Sequence, residues 1–259
     1  MSLVTTTLAV ANQKGGVAKT TTVASLGAAL AELEQRVLLI DLDPQACLTF
    51  SLGIDPEDLE LSVHHVLTKG LAPAEAVMAT DDGVDLLPAT IELARAEADL
   101  LTRTGREYVV KMAVEDLEPG YDWVLLDCPP SLGVLTVAAL TAAGGVLIPL
   151  QCETLSHRGV GQLLDTVHDV RTFTNRRLEV WGVLPTMYDG RTNHAKAVLE
   201  NISETYSLDV IEPPIPKSIR FAEAPAAGRS ILGTTRRNRG ADAYRDVAAN
   251  LLVRGRRAT

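Results

Sequence analysis

At 259 residues, 46% hydrophobic and 22% charged, the chain is long enough to bury a sizeable core and has neither a disordered nor a membrane-spanning composition. A formal net charge of −9 argues against a generally basic nucleic-acid binder. Three scattered cysteines, Cys47, Cys128 and Cys152, exclude a disulfide framework and fit a reducing, cytoplasmic compartment. Met1–Ala11 has no charged leader segment, so no signal peptide is expected.

Apolar runs alternate with helically spaced segments along the chain. Leu8–Ala11 reads as a strand, and Val23, Leu26, Leu30 and Leu33 form a helical stripe after it. Val37–Asp41 is the next strand, and the irregular stretch Asp55–Thr80 predicts short helices. His64 and His65 fall there without carboxylate or cysteine partners and read as surface or locally satisfied histidines. Further strands are Val84–Pro88, Trp123–Asp127, Gly145–Leu150, Val180–Pro185 and Val210–Ile211. Several are apolar on both faces, as buried parallel strands are. Leu163, Leu164, Val167 and Val170 make another helical stripe, and Ala241, Tyr244, Val247, Ala248, Leu251 and Leu252 read as the last core helix. The alternation predicts an α/β fold: a doubly wound, mostly parallel sheet flanked by helices. One domain over residues 1–259 is expected, with 255–259 a flexible tail and Arg254-Gly255-Arg256-Arg257 a frayed end.

Three motifs sit where predicted strands end, which is where such sheets bind ligands. The first is Lys14-Gly15-Gly16-Val17-Ala18-Lys19-Thr20-Thr21, between a strand and a helix. This is the context of a P-loop: glycines let successive N–H groups turn inward to phosphate oxygens, and the helix N-terminus adds partial positive charge. Lys19 can reach the β- and γ-phosphates, the Thr20 hydroxyl can bind Mg²⁺, and Thr21 can donate to the α-phosphate. If the backbone at Ala18 needs a positive φ, its methyl costs roughly 1 kcal/mol; in a right-handed conformation it is harmless. The second motif, Asp41-Leu42-Asp43-Pro44-Gln45, closes a strand and places two carboxylates two residues apart. The third, Trp123-Val124-Leu125-Leu126-Asp127-Cys128-Pro129-Pro130, is an apolar strand ending in an acid that can hold Mg²⁺. Its two prolines stiffen the turn that follows.

Lys14-Gly15-Gly16-x-x-Lys19-Thr20 resembles the deviant Walker A motif of the ParA/MinD ATPases, a P-loop NTPase family, and the likeness extends over about residues 7–253. It implies that Lys14 crosses a dimer interface to a partner's phosphates, so that ATP holds a homodimer together. It assigns Asp43 to the attacking water, Asp41 to the Mg²⁺ surroundings, Asp127 to the metal, and Met187 and Pro214 to the adenine. The chain departs from the family at Ala18, where glycine is usual, and at Ala46 and Cys47, where Gly-Asn is usual.

Charge is divided unevenly. Residues 1–185 carry 12 Lys/Arg and 25 Asp/Glu, whereas residues 186–259 carry 12 and 8, as expected of one face suited to a polyanion. Arg191, Lys217, Arg220, Arg229, Arg236, Arg237 and Arg239 are the candidates; by composition alone they fit a solvated face equally well. Tyr188–Thr192 and Ile215–Pro225 resemble segments of chromosome-partitioning ATPases in which basic residues contact DNA without reading sequence. The resemblance therefore implies a nucleoid-associated partitioning ATPase with ATP/ADP and Mg²⁺ as cofactors, DNA and a ParB-like activator as partners, and slow turnover without that activator. Membrane association is not expected: a MinD-like protein needs a free amphipathic helix. An iron–sulfur carrier on this scaffold needs paired cysteines. No helix-turn-helix extension precedes the first strand, so operator binding is not expected either.

Overall fold

The computed structural model describes residues 5–153, 156–235 and 237–258. Seven strands form one sheet: β1 (Thr6–Val10), β2 (Val37–Asp41), β3 (Met78–Ala79), β4 (Asp85–Leu87), β5 (Trp123–Asp127), β6 (Gly145–Gln151) and β7 (Glu179–Thr186). Their order is β3-β4-β2-β5-β1-β6-β7, with every pair parallel except β3–β4. Helices α1 (Lys19–Glu32), α2 (Cys47–Ser51), α3 (Val63–Lys69), α4 (Leu93–Leu100) and α5 (Val109–Leu117) come in the first half. They are followed by α6 (Val134–Ala142), α7 (Ser156–Phe173), α8 (Asn193–Tyr206), α9 (Arg220–Glu223), α10 (Ile231–Thr234) and α11 (Arg239–Ala258).

Strand alternation divides the core in two. Leu38, Ile40, Val124, Leu126, Val146 and Ile148 face one cluster, shared with α3 to α8. Leu8, Val10, Leu39, Leu125 and Leu147 face the other, where α1 and α11 pack. Both sheet faces are covered, which explains why these strands read as continuous apolar runs. In α1, Val23, Leu26 and Leu30 are buried as expected, but Leu33 is the C-cap and is largely exposed. The buried Thr22 and Tyr244 hydroxyls hydrogen bond at 2.9 Å between α1 and α11.

The expected short helices occupy 56–75. Strand β3 was not anticipated: it is two exposed residues at the sheet edge, too short for a pattern. The expected strand Val210–Ile211 is instead one isolated bridge, Val183 to Val210, because the cross-strand pairing stops there. The expected tail continues the last helix. Helix α11 runs to Ala258, Arg254 donates to the Trp181 carbonyl at 2.6 Å, and Gly255 is buried against Trp123 and Thr6; Thr259 lies outside the described residues. His64 is buried rather than superficial, and its Nδ1 has no hydrogen-bond partner among the described residues.

Glycine 53, after α2, and Gly228, before α10, touch backbone to backbone. A Cβ on Gly228 would come within 2.8 Å of the Gly53 Cα. Nearby, the Asp82 carboxylate accepts from the Arg229 guanidinium and from the Ser230 N–H.

Two alanines hold left-handed backbone at helix starts: Ala18 before α1 (φ 65°) and Ala46 before α2 (φ 51°). For an L-residue this conformation costs about 1–2 kcal/mol. Glycine removes that strain but has more unfolded-state freedom to lose. We expect Ala18→Gly to raise the unfolding free energy by about 0.5–1 kcal/mol. Urea denaturation checks this, and a lower midpoint with unchanged m-value would contradict the strain.

Candidate functional site

The phosphate loop hangs from β1 and is held by its neighbours. The Asn12 side chain donates to the Pro149 carbonyl at 2.8 Å and accepts from the Lys14 N–H at 3.0 Å. The Thr186 hydroxyl, at the end of β7, donates to the Val17 carbonyl at 3.0 Å. Both side chains are buried. The loop thus has its shape before any ligand arrives.

Helix α1 begins with no side-chain cap on Ala18 and no acidic residue in its first turn. Its 14 residues add a partial positive charge at that end, and its first N–H groups lack intrahelical acceptors. An anion can satisfy both needs at once. Lys19, the first helical residue, is buried, with its ammonium 3.4 Å from the Lys14 carbonyl. Burial lowers its pKa, while Asp127, Cys128 and Asp43 act the other way.

Sheet register brings the acidic motifs together. Asp41 lies opposite Asp127 in the β2–β5 pairing, and Asp127 lies opposite Val10 in the β1–β5 pairing. Both carboxylates are fully buried. Asp41 is hydrogen-bonded: its Oδ1 accepts from the Asp43 N–H at 3.1 Å, and its Oδ2 from the Thr49 N–H at 3.0 Å and hydroxyl at 2.7 Å. Burial nevertheless pushes its pKa up to about 6. Neither oxygen of Asp127 has a hydrogen-bond partner among the described residues. Burial and then Asp41 push its pKa well above the carboxylate range, opposed by Thr20 and Lys19. Two adjacent buried carboxylates, one with only the Thr20 hydroxyl turned to it, call for a cation, and this hard oxygen set fits Mg²⁺. Asp43 is buried less deeply, and its Oδ1 accepts from the Gln45 N–H at 2.9 Å.

Above these groups opens a cleft of about 530 Å³ lined by Gly15, Gly16, Ala18, Lys19, Thr20, Thr21, Asp43 and Cys47. Its far wall is Met187, Ile215, Pro216, Lys217, Phe221, Ala222 and Tyr244. Val17 is buried beneath the loop. Pro214 lies apart from the cleft, in a second hollow with Tyr188, Pro213 and Arg239. The apolar wall comes instead from Ile215, Pro216 and Phe221, with Phe221 edge-on to Tyr244. Sequence reasoning missed those residues, as well as Asn12, Thr49 and Thr186; only the proline-rich character of 213–216 marked the neighbourhood.

Lys14 sits at the rim, its ammonium 2.5 Å from the Glu153 carboxylate. Exposed Arg191 pairs with Asp189, and exposed Arg220 with Glu223, each at 2.8 Å. The segments leading to them are joined by the Tyr188–Pro216 bridge. Lys217 lines the cleft. Arg229 is engaged with Asp82, Arg237 and Arg239 are exposed, and Arg236 lies outside the described residues.

Residues 5–180 match the family model described as AAA domain. The chain is 43% identical over 249 residues to the sporulation initiation inhibitor protein Soj of Bacillus subtilis, covering 96% of this chain and 98% of that protein. It is 40% identical to the chromosome partitioning protein ParA of Caulobacter vibrioides, covering 96% and 94%. Among solved structures, a Mycobacterium smegmatis protein named cobyrinic acid a,c-diamide synthase, with bound ADP and magnesium, is 55% identical. Its TM-score is 0.86, with 96% of this chain and 94% of that one covered. The same protein is also known with an ATP analog and magnesium bound. A phosphate loop on an uncapped helix, an orphaned acid at the strand end beside it and relatives matched over nearly their whole length make one case: the chain belongs to the AAA-domain family as a ParA/Soj-type P-loop ATPase.

Proposed function

We propose that the protein is a partitioning ATPase that dimerises on ATP, binds DNA without sequence preference in that state, and hydrolyses ATP when a ParB-like partner acts on it. The observation that carries this reading is the position of the basic segment. Lys217, Phe221 and Ala222 line the nucleotide cleft, and Arg220 falls between them in sequence. A bound nucleotide would touch the segment that carries the DNA candidates, so its presence can alter their affinity.

Within the site, the loop N–H groups, Thr21 and the start of α1 bind the phosphates. Lys19 holds negative charge on the β- and γ-phosphates. Thr20 and Asp127 would hold Mg²⁺, with Asp41 beside them; the ion would neutralise charge on the phosphate oxygens. Asp43 faces the cleft and orients the attacking water. Met187 and the Ile215–Phe221 wall take the adenine, whereas Pro214 only supports that wall. Lys14 leaves Glu153 to reach a second subunit's nucleotide. The cost is small, since exposed ion pairs contribute about 0–1 kcal/mol. Arg191 and Arg220 would exchange intramolecular carboxylates for DNA phosphates, and doubling them in a dimer strengthens binding. Arg236, Arg237 and Arg239 extend this surface, while Arg229 anchors it through Asp82. The whole chain acts as one ATPase domain, cytoplasmic and nucleoid-associated.

A second reading follows from the name of the 55% identical protein, a diamide synthase. Amide transfer from glutamine requires an activated thiol. Here burial pushes the pKa of Cys47 and Cys128 up and that of Cys152 to about 11, the opposite of activation. A MinD-like membrane role is disfavoured as well: the apolar face of α11 is spent on the core, with Tyr244, Val247 and Ala248 fully buried. No helix among the described residues is long and apolar enough to cross a membrane.

Three measurements test the reading. DNA binding compared in ATP, ADP and no nucleotide should be strongest in ATP. Arg220→Glu should then lose at least about tenfold in DNA affinity, with ATP affinity unchanged. Equal affinity in all three nucleotide states contradicts the switch. In sedimentation with ATP, Asp43→Ala should bind nucleotide and accumulate as dimer, with turnover reduced about 100-fold or more, whereas Lys19→Ala should stay monomeric. Normal turnover by Asp43→Ala removes that residue from the chemistry. Third, Asp127→Asn should stabilise the ligand-free protein by roughly 1 kcal/mol or more at pH 7.5 and abolish Mg²⁺-dependent stabilisation by ATP. Because the native pKa of Asp127 is raised, its cost is absent below the unfolded value near 3.8 and grows as pH rises through the native one. The variant's advantage should therefore vanish in acid, as thermal melts at several pH values will read.

A further inference from the structure

We propose that Thr49 is a positioning residue for ATP hydrolysis, acting through Asp41 on the water-orienting Asp43 and on the Mg²⁺ surroundings. The inference rests on the ATPase reading of the cleft, not on the DNA reading. Thr49 lies on α2 and is fully buried. Its hydroxyl has two neighbours. The Ala89 N–H, just beyond β4, reaches its oxygen at 2.9 Å, and Asp41 Oδ2 lies 2.7 Å away.

The direction of both bonds is fixed by chemistry. A backbone N–H can only donate, so the hydroxyl oxygen accepts from Ala89. The single hydroxyl proton is then left for Asp41, which can accept it as a carboxylate. The Thr49 N–H donates to the same Oδ2 at 3.0 Å. One side of Asp41 is thereby tied to α2 and, through Ala89, to the end of β4. The other oxygen accepts from the Asp43 N–H at 3.1 Å, so the orientation of Asp41 is passed to the backbone of Asp43. Nothing else described here holds Asp41 Oδ2. Fixing a carboxylate near a metal from behind is a role whose loss typically costs 10- to 100-fold in affinity or rate.

The experiment uses the full chain with Thr49→Val, Thr49→Ser and Thr49→Cys. Valine keeps the shape and removes the hydroxyl; serine keeps the hydroxyl without the methyl; cysteine, also without the methyl, replaces the hydroxyl by a weak donor. Three quantities are read: nucleotide affinity without metal, the gain in affinity on adding Mg²⁺, and kcat for ATP hydrolysis by the protein alone. Metal-free affinity should be unchanged in all three, since the phosphate loop is untouched. Thr49→Val and Thr49→Cys should lose about tenfold or more in the Mg²⁺-dependent gain and in kcat, and Thr49→Ser should recover most of both. A merely structural threonine would lower the melting temperature while leaving kcat per folded molecule and the Mg²⁺ gain intact; that pattern in Thr49→Val overturns the proposal. Should valine fail to fold, wild-type kcat in Thr49→Cys overturns it equally. Failure of the wild-type protein to bind ATP with Mg²⁺ present would instead sink the ATPase reading beneath it.

Discussion

The site is organised by an electrostatic debt: two carboxylates, Asp41 and Asp127, are buried opposite each other at the ends of adjacent strands. Like charges in low dielectric repel, and near Asp127 only the Thr20 hydroxyl and the Lys19 ammonium work against its loss of water. Only a cation or a proton can settle that arrangement, and burial disfavours the charged form of Lys19, the cation already beside it. The nearby groups follow from it. Helix α1 leaves its amino end open, and Thr49 and the Asp43 N–H hold Asp41 in a charged geometry against the pull of burial.

Much of this was legible in the sequence because the informative features are local. Strands buried on both faces read as apolar runs, and glycines followed by Lys-Thr-Thr mark a turn into a helix. The acids at 41, 43 and 127 each close such a run. What escaped was held by tertiary contact. Asn12, Thr49 and Thr186 are single polar residues whose meaning lies in partners 137, 8 and 169 positions away. Strand β3 exists by pairing with β4, not by its own pattern. Which of the side chains from 212 to 218 face the cleft was not legible, because that segment has no periodicity; Ile215 and Pro216 line it, and Pro214 lines the hollow beside it. The terminal position of Arg254 suggests a frayed end and gives no sign of its tertiary partner, the Trp181 ring over which it lies.

The backbone around the cleft is held against its preference. Ala18, Ala46 and Met187, three of the five non-glycine residues with positive φ among the described residues, all border the cleft or its acidic loop. Strain gathered in one place is sustained only when surrounding bonds over-determine it. Asn12, Thr186 and Thr49 supply those bonds, which is why a site made of loops can still present fixed N–H groups and acids.

The contact of Gly53 with Gly228 has a mechanical meaning. Side chains usually act as springs between elements, absorbing small shifts by changing rotamer. Here two main chains meet with nothing between them, so neither can move closer and a push on one is handed undamped to the other. One of these chains continues from α2, which braces Asp41, and the other leads out of the segment that carries Arg220. The joint is stiff in compression and free in separation, like a stop on a hinge.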